Sequence, residues 1–191
     1  MKYRLLNRFE RVTDYRDIPT DGTFVVLTKS KTFLGKAIQG FQRLHQWRRG
    51  IRDTELIPNH ADGVKNGYGI GALSLGVQLR PFASHFGNKE AQYYIVRPQF
   101  NEEQEEKFWQ FMIEQVAEPY RYTDLFRYIV RSFKIRWPGK EEELDRDKWT
   151  CYTLVASALN YAYDEVIFPN PYQISPYECA VIFDKRKDLF S

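Results

Sequence analysis

Thr150-Cys151-Tyr152-Thr153-Leu154-Val155-Ala156-Ser157-Ala158-Leu159-Asn160-Tyr161-Ala162 is the stretch on which the reading of this chain turns. Leu154, Val155, Ala158, Leu159 and Ala162 recur at the spacing of one helix face, and Thr150 supplies the hydroxyl expected of an N-cap. Cys151 then falls in the first turn, where backbone N–H groups and the helix dipole stabilise a thiolate. A thiol so placed is primed as a nucleophile. It also lies one turn before Leu154 and Val155, and most free cysteines are small buried hydrophobes. Spacing alone leaves both readings open.

Downstream, Ser175-Pro176 reads as a turn and Cys179-Ala180-Val181-Ile182-Phe183 as a closing strand, with Cys179 packed in the core. Upstream, the β-branched and aromatic run Thr23 to Thr28 follows the turn signal Asp21-Gly22 and predicts a strand. Gly35 to Arg49 sets Ile38, Phe41, Leu44 and His45 at helical spacing. Ile57-Pro58-Asn59-His60 leads into a strand over Ala61 to Val64, closed by Lys65-Asn66-Gly67. From Leu73 to Arg80 strict alternation predicts one strand, with Leu73, Leu75, Val77 and Leu79 on its buried side. Ala91 to Arg97 predicts another, stopped by Pro98.

Helical signals follow. Asn101 and Gln104 have capping-box spacing ahead of a face formed by Trp109, Met112, Ile113 and Val116. A shorter helix is expected from Asp124, burying Leu125, Ile129 and Phe133. Strands, then helices, then one strand indicate an α+β fold in which a small, largely antiparallel sheet packs against helices. With 191 residues and no linker-like or repeated segment, one domain over residues 1–191 is expected.

Composition narrows the function classes. The chain is 43% hydrophobic and 16% aromatic, which suits a core of large rings. A net charge of +3 is too mild to argue for specific nucleic-acid binding. Basic residues do cluster, in Arg43, Arg48, Arg49 and Arg52 and again in Arg121, Arg127, Arg131, Lys134 and Arg136. These are either solvated helix faces or a surface drawn to anionic lipid or cell-wall polymer. Two cysteines cannot make a disulfide framework. Met1 to Arg8 holds no apolar stretch of signal-peptide length, and no run approaches the ~20 apolar residues of a membrane span. The chain is therefore expected to be cytoplasmic as synthesised. Action on a cell wall, as by a phage-encoded enzyme, would need another route of delivery.

Of the three histidines, His45 sits on an apolar helix face and His85 in the loop Pro81-Phe82-Ala83-Ser84-His85-Phe86-Gly87. His60 opens a strand, where an imidazole can project from a sheet edge towards a helix end. A Cys–His pair is made by contact in space, so sequence alone does not choose among the three. The chain has no phosphate-binding Gly-rich loop and no metal-ligand spacing, so no cofactor or metal is expected.

Taken in order, these segments resemble the permuted branch of the NlpC-type papain-like peptidases, which includes the YiiX-like and lecithin retinol acyltransferase-like proteins. Gly22 to Leu27 is similar to that family's opening strand, with Thr23 where an Asp is usual. Asn59-His60-Ala61-Asp62-Gly63-Val64 resembles its His strand, and Leu75 to Pro81 and Tyr94 to Pro98 resemble the strands that follow. Glu118 to Tyr122 resembles its Pro-Tyr element, Thr150 to Val155 its nucleophile helix, and Ile174 to Ala180 its last Pro-containing turn. The likeness spans nearly the whole chain, and the order of these short motifs carries it.

The resemblance implies that His60 deprotonates Cys151, that the thiolate attacks an amide or ester carbonyl, and that an acyl-enzyme forms. The family usually orients its His by a polar residue on the next strand. Here that stretch is Ile70-Gly71-Ala72, which offers none. Asn66, Tyr68, Ser74, Gln78 and His85 are the candidate substitutes, and Tyr120, Gln78 and His85 the candidates for a third or oxyanion group. The leading expectation is a cysteine amidase or peptidase acting on peptidoglycan peptides or a related amide. The alternatives are a lipid-directed thiol acyltransferase or esterase, and a binding module of the same fold without catalysis.

Overall fold

The computed structural model describes residues 6–30, 40, 43, 58–81, 83–84, 91–120 and 149–191. Six strands form one sheet: β1 (Glu10–Val12), β2 (Thr23–Lys29), β3 (His60–Lys65), β4 (Tyr68–Leu73), β5 (Gly76–Pro81) and β6 (Gln92–Val96). Their order is β1-β6-β2-β3-β4-β5, and every neighbouring pair is antiparallel. Among the described residues three helices of ten or more residues pack with it: α1 (Glu102–Glu114), α2 (Cys151–Tyr163) and α3 (Pro176–Lys185). The class is α+β, as the sequence pattern indicates.

The sheet separates two apolar clusters, and side-chain alternation decides which residue joins which. Val25, Leu27, Ala61, Ile70, Ala72 and Val96 join the core that contains α1, α2 and α3. Phe24, Val26, Val64, Tyr93 and Ile95 join a smaller cluster with Ile18. A strand buried on both faces reads as an unbroken apolar run, which is how Phe24 to Leu27 reads. Between β3 and β4, Asn66 and Gly67 both take positive φ, 48° and 78°. That is the chemistry of a two-residue hairpin turn whose twist matches the strands.

Helix α2 is the centre of the core. Ten of its residues are buried, including the expected face Leu154, Val155, Ala158, Leu159 and Ala162. A helix apolar nearly all round must be enclosed rather than laid on a surface. Its start is fixed by a capping box: the Thr153 N–H donates to Thr150 Oγ1 at 3.3 Å, and the Thr150 N–H donates to Thr153 Oγ1 at 2.9 Å. The expected box on α1 also forms, with the Gln104 N–H donating to Asn101 Oδ1 at 2.8 Å and the Asn101 N–H to Gln104 Oε1 at 3.0 Å.

Three expectations are corrected. Cys179 to Phe183 is helical, inside α3, and not a strand. Ser175 caps this helix: the Ser175 N–H donates to Glu178 Oε2 at 3.0 Å and the Glu178 N–H to Ser175 Oγ at 3.2 Å, with Pro176 in the first turn. Ser-Pro-x-Glu is a helix-start signal, and a five-residue apolar run cannot by itself separate strand from helix.

The alternating run from Leu73 to Arg80 is two strands. Leu73 pairs with Gly76 across a turn at Ser74-Leu75, and Leu75 is 81% exposed. Gly76 has φ of +109°, and a Cβ there would lie 2.5 Å from the Glu118 carbonyl oxygen. The close approach is held by the Val77 N–H donating to that same oxygen at 2.8 Å. On α1, the buried residues are Phe108 and Met112, while Ile113 faces solvent. Gly63 of β3 sets that rotation, because its missing Cβ gives room to the Met112 methyl and the Phe108 ring.

The helix expected over Gly35 to Arg49 lies outside the described residues except for Gly40 and Arg43, both helical and exposed. The helix expected from Asp124 and the other members of both basic clusters lie outside them altogether. Among the described residues no helix is long and apolar enough to cross a membrane.

Gly76→Ala combines a positive φ with a backbone clash, and is expected to cost about 2–3 kcal/mol of unfolding free energy. Urea denaturation checks this; a loss below about 0.5 kcal/mol would mean that the hairpin's approach to Glu118 is not held.

Candidate active site

His60 is the first residue of β3 and pairs with Thr28 of β2, and Cys151 is the first residue of α2. The two meet where the capped start of α2 reaches the end of β3. The Tyr152 hydroxyl, next in sequence to Cys151, donates to the Pro58 carbonyl at 2.8 Å and lies 3.4 Å from the His60 carbonyl. The Cys151 side chain comes close enough to the His60 imidazole to act on its titration.

The opposite edge of the imidazole is held by a residue that sequence reasoning overlooked. His60 Nε2 is 2.8 Å from Oδ1 of Asp62. Asp62 is fully buried, whereas the His60 side chain keeps 22% exposure. An ionised carboxylate only accepts, so the Nε2–H donates to Asp62 and Nδ1 is left for Cys151. Cys151, His60 and Asp62 thus stand in series as a thiol, an imidazole and a buried carboxylate.

Burial is the largest single influence on His60 and pulls its pKa down. The charge of Asp62 and the side chain of Cys151, each with its hydrogen bond, outweigh burial and hold the imidazole well above its ordinary 6.5.

Gly71 acquires a reason here. Continuing the β3–β4 register from Gly63↔Ile70 by one residue brings Gly71 beside Asp62. A Cβ on Gly71 would lie 1.8 Å from Asp62 Oδ1, 2.9 Å from its Cγ and 3.5 Å from His60 Nε2. The strand after the His carries no orienting side chain because a carboxylate from the His strand fills that volume. At Ile70-Gly71-Ala72, where no polar side chain is available, the volume beside the imidazole is occupied by the Asp62 carboxylate. The signal was legible: His60 and Asp62, two apart in a strand, share a face.

The other candidates are placed as follows. Gln78 lies across the β4–β5 ladder from Gly71, and its amide oxygen accepts from Arg80. Tyr120 forms a parallel bridge with Trp149, two residues before Cys151, and packs partly buried against the main core. Asn66 is in the turn at the far end of β3, Tyr68 is half exposed and Ser74 sits in the β4–β5 turn. His85 and His45 lie outside the described residues. Cys179 is wholly buried in α3, and burial first, then the neighbouring Cys151 and Glu178, push its thiol well above the usual range. It packs in the main core. Among the described residues no cluster of three or more His, Cys, Asp or Glu could hold a metal.

No protein-family model matches the sequence, and no curated protein matches it either.

Two substitutions test the geometry. Because His60 titrates above its unfolded value, its charged form stabilises the fold in full below about pH 6.5, and that contribution is lost as pH rises through the folded-state pKa. Asp62→Asn removes a group that holds the pKa up. The stability of wild type relative to Asp62→Asn is therefore expected to fall as pH rises from about 6, in denaturant titrations at a series of pH values. A difference independent of pH would contradict the pairing. Gly71→Ala displaces the Asp62 carboxylate, costs about 1–3 kcal/mol, and lowers the His60 pKa in an NMR titration. An unchanged imidazole titration in Gly71→Ala would refute the close approach.

Proposed function

We propose that the protein is a cysteine-dependent hydrolase of the permuted NlpC-type papain-like kind, with Cys151 as nucleophile, His60 as general base and acid, and Asp62 orienting the imidazole. One observation carries the reading: a helix-start cysteine beside a histidine whose Nε2 lies 2.8 Å from a wholly buried carboxylate. A buried ionised carboxylate is costly unless paired, and Asp62 finds its cation in His60. Loss of catalysis in this fold was suggested by the missing side chain at Gly71, and Asp62 removes that reason.

The chemistry follows from the arrangement. Nδ1 of His60 takes the proton of the Cys151 thiol, and the sulfur attacks a substrate carbonyl carbon. The N–H groups of Cys151 and Tyr152 are those that a helix start presents to outside partners, since Thr150 accepts from Thr153 and Leu154. They are placed to stabilise the oxyanion, and preorganised donors of this kind contribute about 10²–10³-fold. The C–N bond breaks as His60 returns its proton to the leaving amine, which leaves a thioester on Cys151. Water then gives a proton to His60 and adds to the thioester; the C–S bond breaks, the acid departs and the thiol is regenerated. An ester substrate follows the same steps with an alcohol as leaving group. Peptide amides, including those of peptidoglycan, are the substrates proposed first.

Acylation is the direct test. Incubation with a p-nitrophenyl ester, followed by peptide mass spectrometry, is expected to give an acyl adduct on Cys151. Removing the general base in His60→Ala is expected to slow acylation by about 10²–10⁴-fold, and Cys151→Ala to abolish the adduct. Acylation of Cys151 at the same rate with and without His60 would sink the proposal.

A further inference from the structure

Cys151 and His60 are brought together from distant parts of the chain, and proton transfer between them tolerates little misplacement. The contacts that set this separation are found on the residues beside the pair. The Tyr152 hydroxyl crosses between the two elements, donating to the carbonyl of Pro58, 94 residues away, at 2.8 Å. The His60 carbonyl lies 3.4 Å from the same hydroxyl. Tyr152 is 2% exposed, and burial first, then the nearby Cys151, Cys179 and Asp62, push its pKa well above 10. It stays protonated, so it stays a donor. Successive helix residues point about 100° apart, which lets Cys151 face the imidazole while Tyr152 holds the chain leading to it.

That chain is also held from the other side. The Asn59 N–H donates to the Thr28 carbonyl at 2.9 Å. The Asn59 side chain, buried, accepts from the Ser30 N–H at 3.0 Å and donates towards the Ser30 carbonyl and hydroxyl, each at 3.3 Å. Asn59 therefore fixes the segment Pro58 to His60 to the end of β2, and Tyr152 fixes it to the start of α2.

We infer that Tyr152 and Asn59 are positioning residues that clamp the Pro58–His60 segment so that the imidazole meets Cys151. This rests on the Cys151–His60 pair being the reactive pair. Neither residue touches a reacting atom; each acts through His60. Tyr152→Phe is the informative change, because the ring still fills the core while the Pro58 carbonyl loses its donor.

The experiment is the pH dependence of Cys151 alkylation by iodoacetamide in the full chain. It is followed by peptide mass spectrometry, so that Cys179 is scored separately, with circular dichroism to confirm folding. Wild type is expected to show a midpoint below the free-thiol value of about 8.5, and His60→Ala to move it up to that value. Tyr152→Phe is expected to move it part of the way, by about one unit, so that alkylation on the acid side slows about tenfold. If Tyr152→Phe does not fold, Asn59→Ala, which loosens the same segment from β2, is expected to give the same upward shift. A wild-type midpoint in the folded variant, with His60→Ala shifted, would overturn the clamp and leave the reactive pair standing. If His60→Ala does not shift the midpoint either, the pair itself fails, and the clamp with it.

Discussion

A carboxylate with no access to water is the constraint around which the described part of this molecule is arranged. Asp62 sits in an interior strand with its side chain fully enclosed, and an ionised group in that position demands a nearby cation. The cation is an imidazole two residues earlier on the same strand, and it can be charged there because Asp62 and Cys151 together outweigh the cost of burial. Space for the carboxylate comes from the neighbouring strand, which carries glycine where any side chain would intrude. A charge, a counter-charge and a vacancy thus occupy three adjacent positions on two strands.

The location of this polar group follows from how the core is built. Helix α2 is apolar on nearly every face, so its middle can only be enclosed. Its start is different: the first turn of any helix has N–H groups without intrahelical partners, and Thr150 satisfies part of that need. Polar chemistry is therefore well tolerated at that end of the central helix. The same end is anchored by Trp149, whose N–H donates to the Pro119 carbonyl at 3.2 Å and whose indole donates to Gln115 at 3.0 Å. The segment leading into Cys151 is tied to the end of α1, just as the segment leading into His60 is tied to β2.

How much of this was legible in the sequence depended on the range of the signal. The start and inner face of α2 could be read because a capping hydroxyl and a helical repeat agree over thirteen residues. The Asn66-Gly67 turn and the apolar run of β2 were equally plain. Short segments misled. Cys179 to Phe183 is apolar enough for a strand, and only the Ser175–Glu178 capping pair marks it as helix. The alternation from Leu73 to Arg80 runs through a two-residue turn, which the positive φ of Gly76 alone reveals. Met112 of the expected stripe is buried, but its partner is Phe108 rather than Ile113, which depends on a glycine in another strand that no local pattern contains. Asp62 was missed although it shares a strand face with His60; what no local pattern contains is the register that places Gly71 beside it.

The imidazole and its carboxylate ride on a single strand that is hydrogen-bonded on both sides, whereas the thiol belongs to a separate body, the helix. The ring-to-carboxylate spacing is therefore written into the backbone of one strand, whereas the sulfur-to-ring spacing depends on how a helix is seated against a sheet.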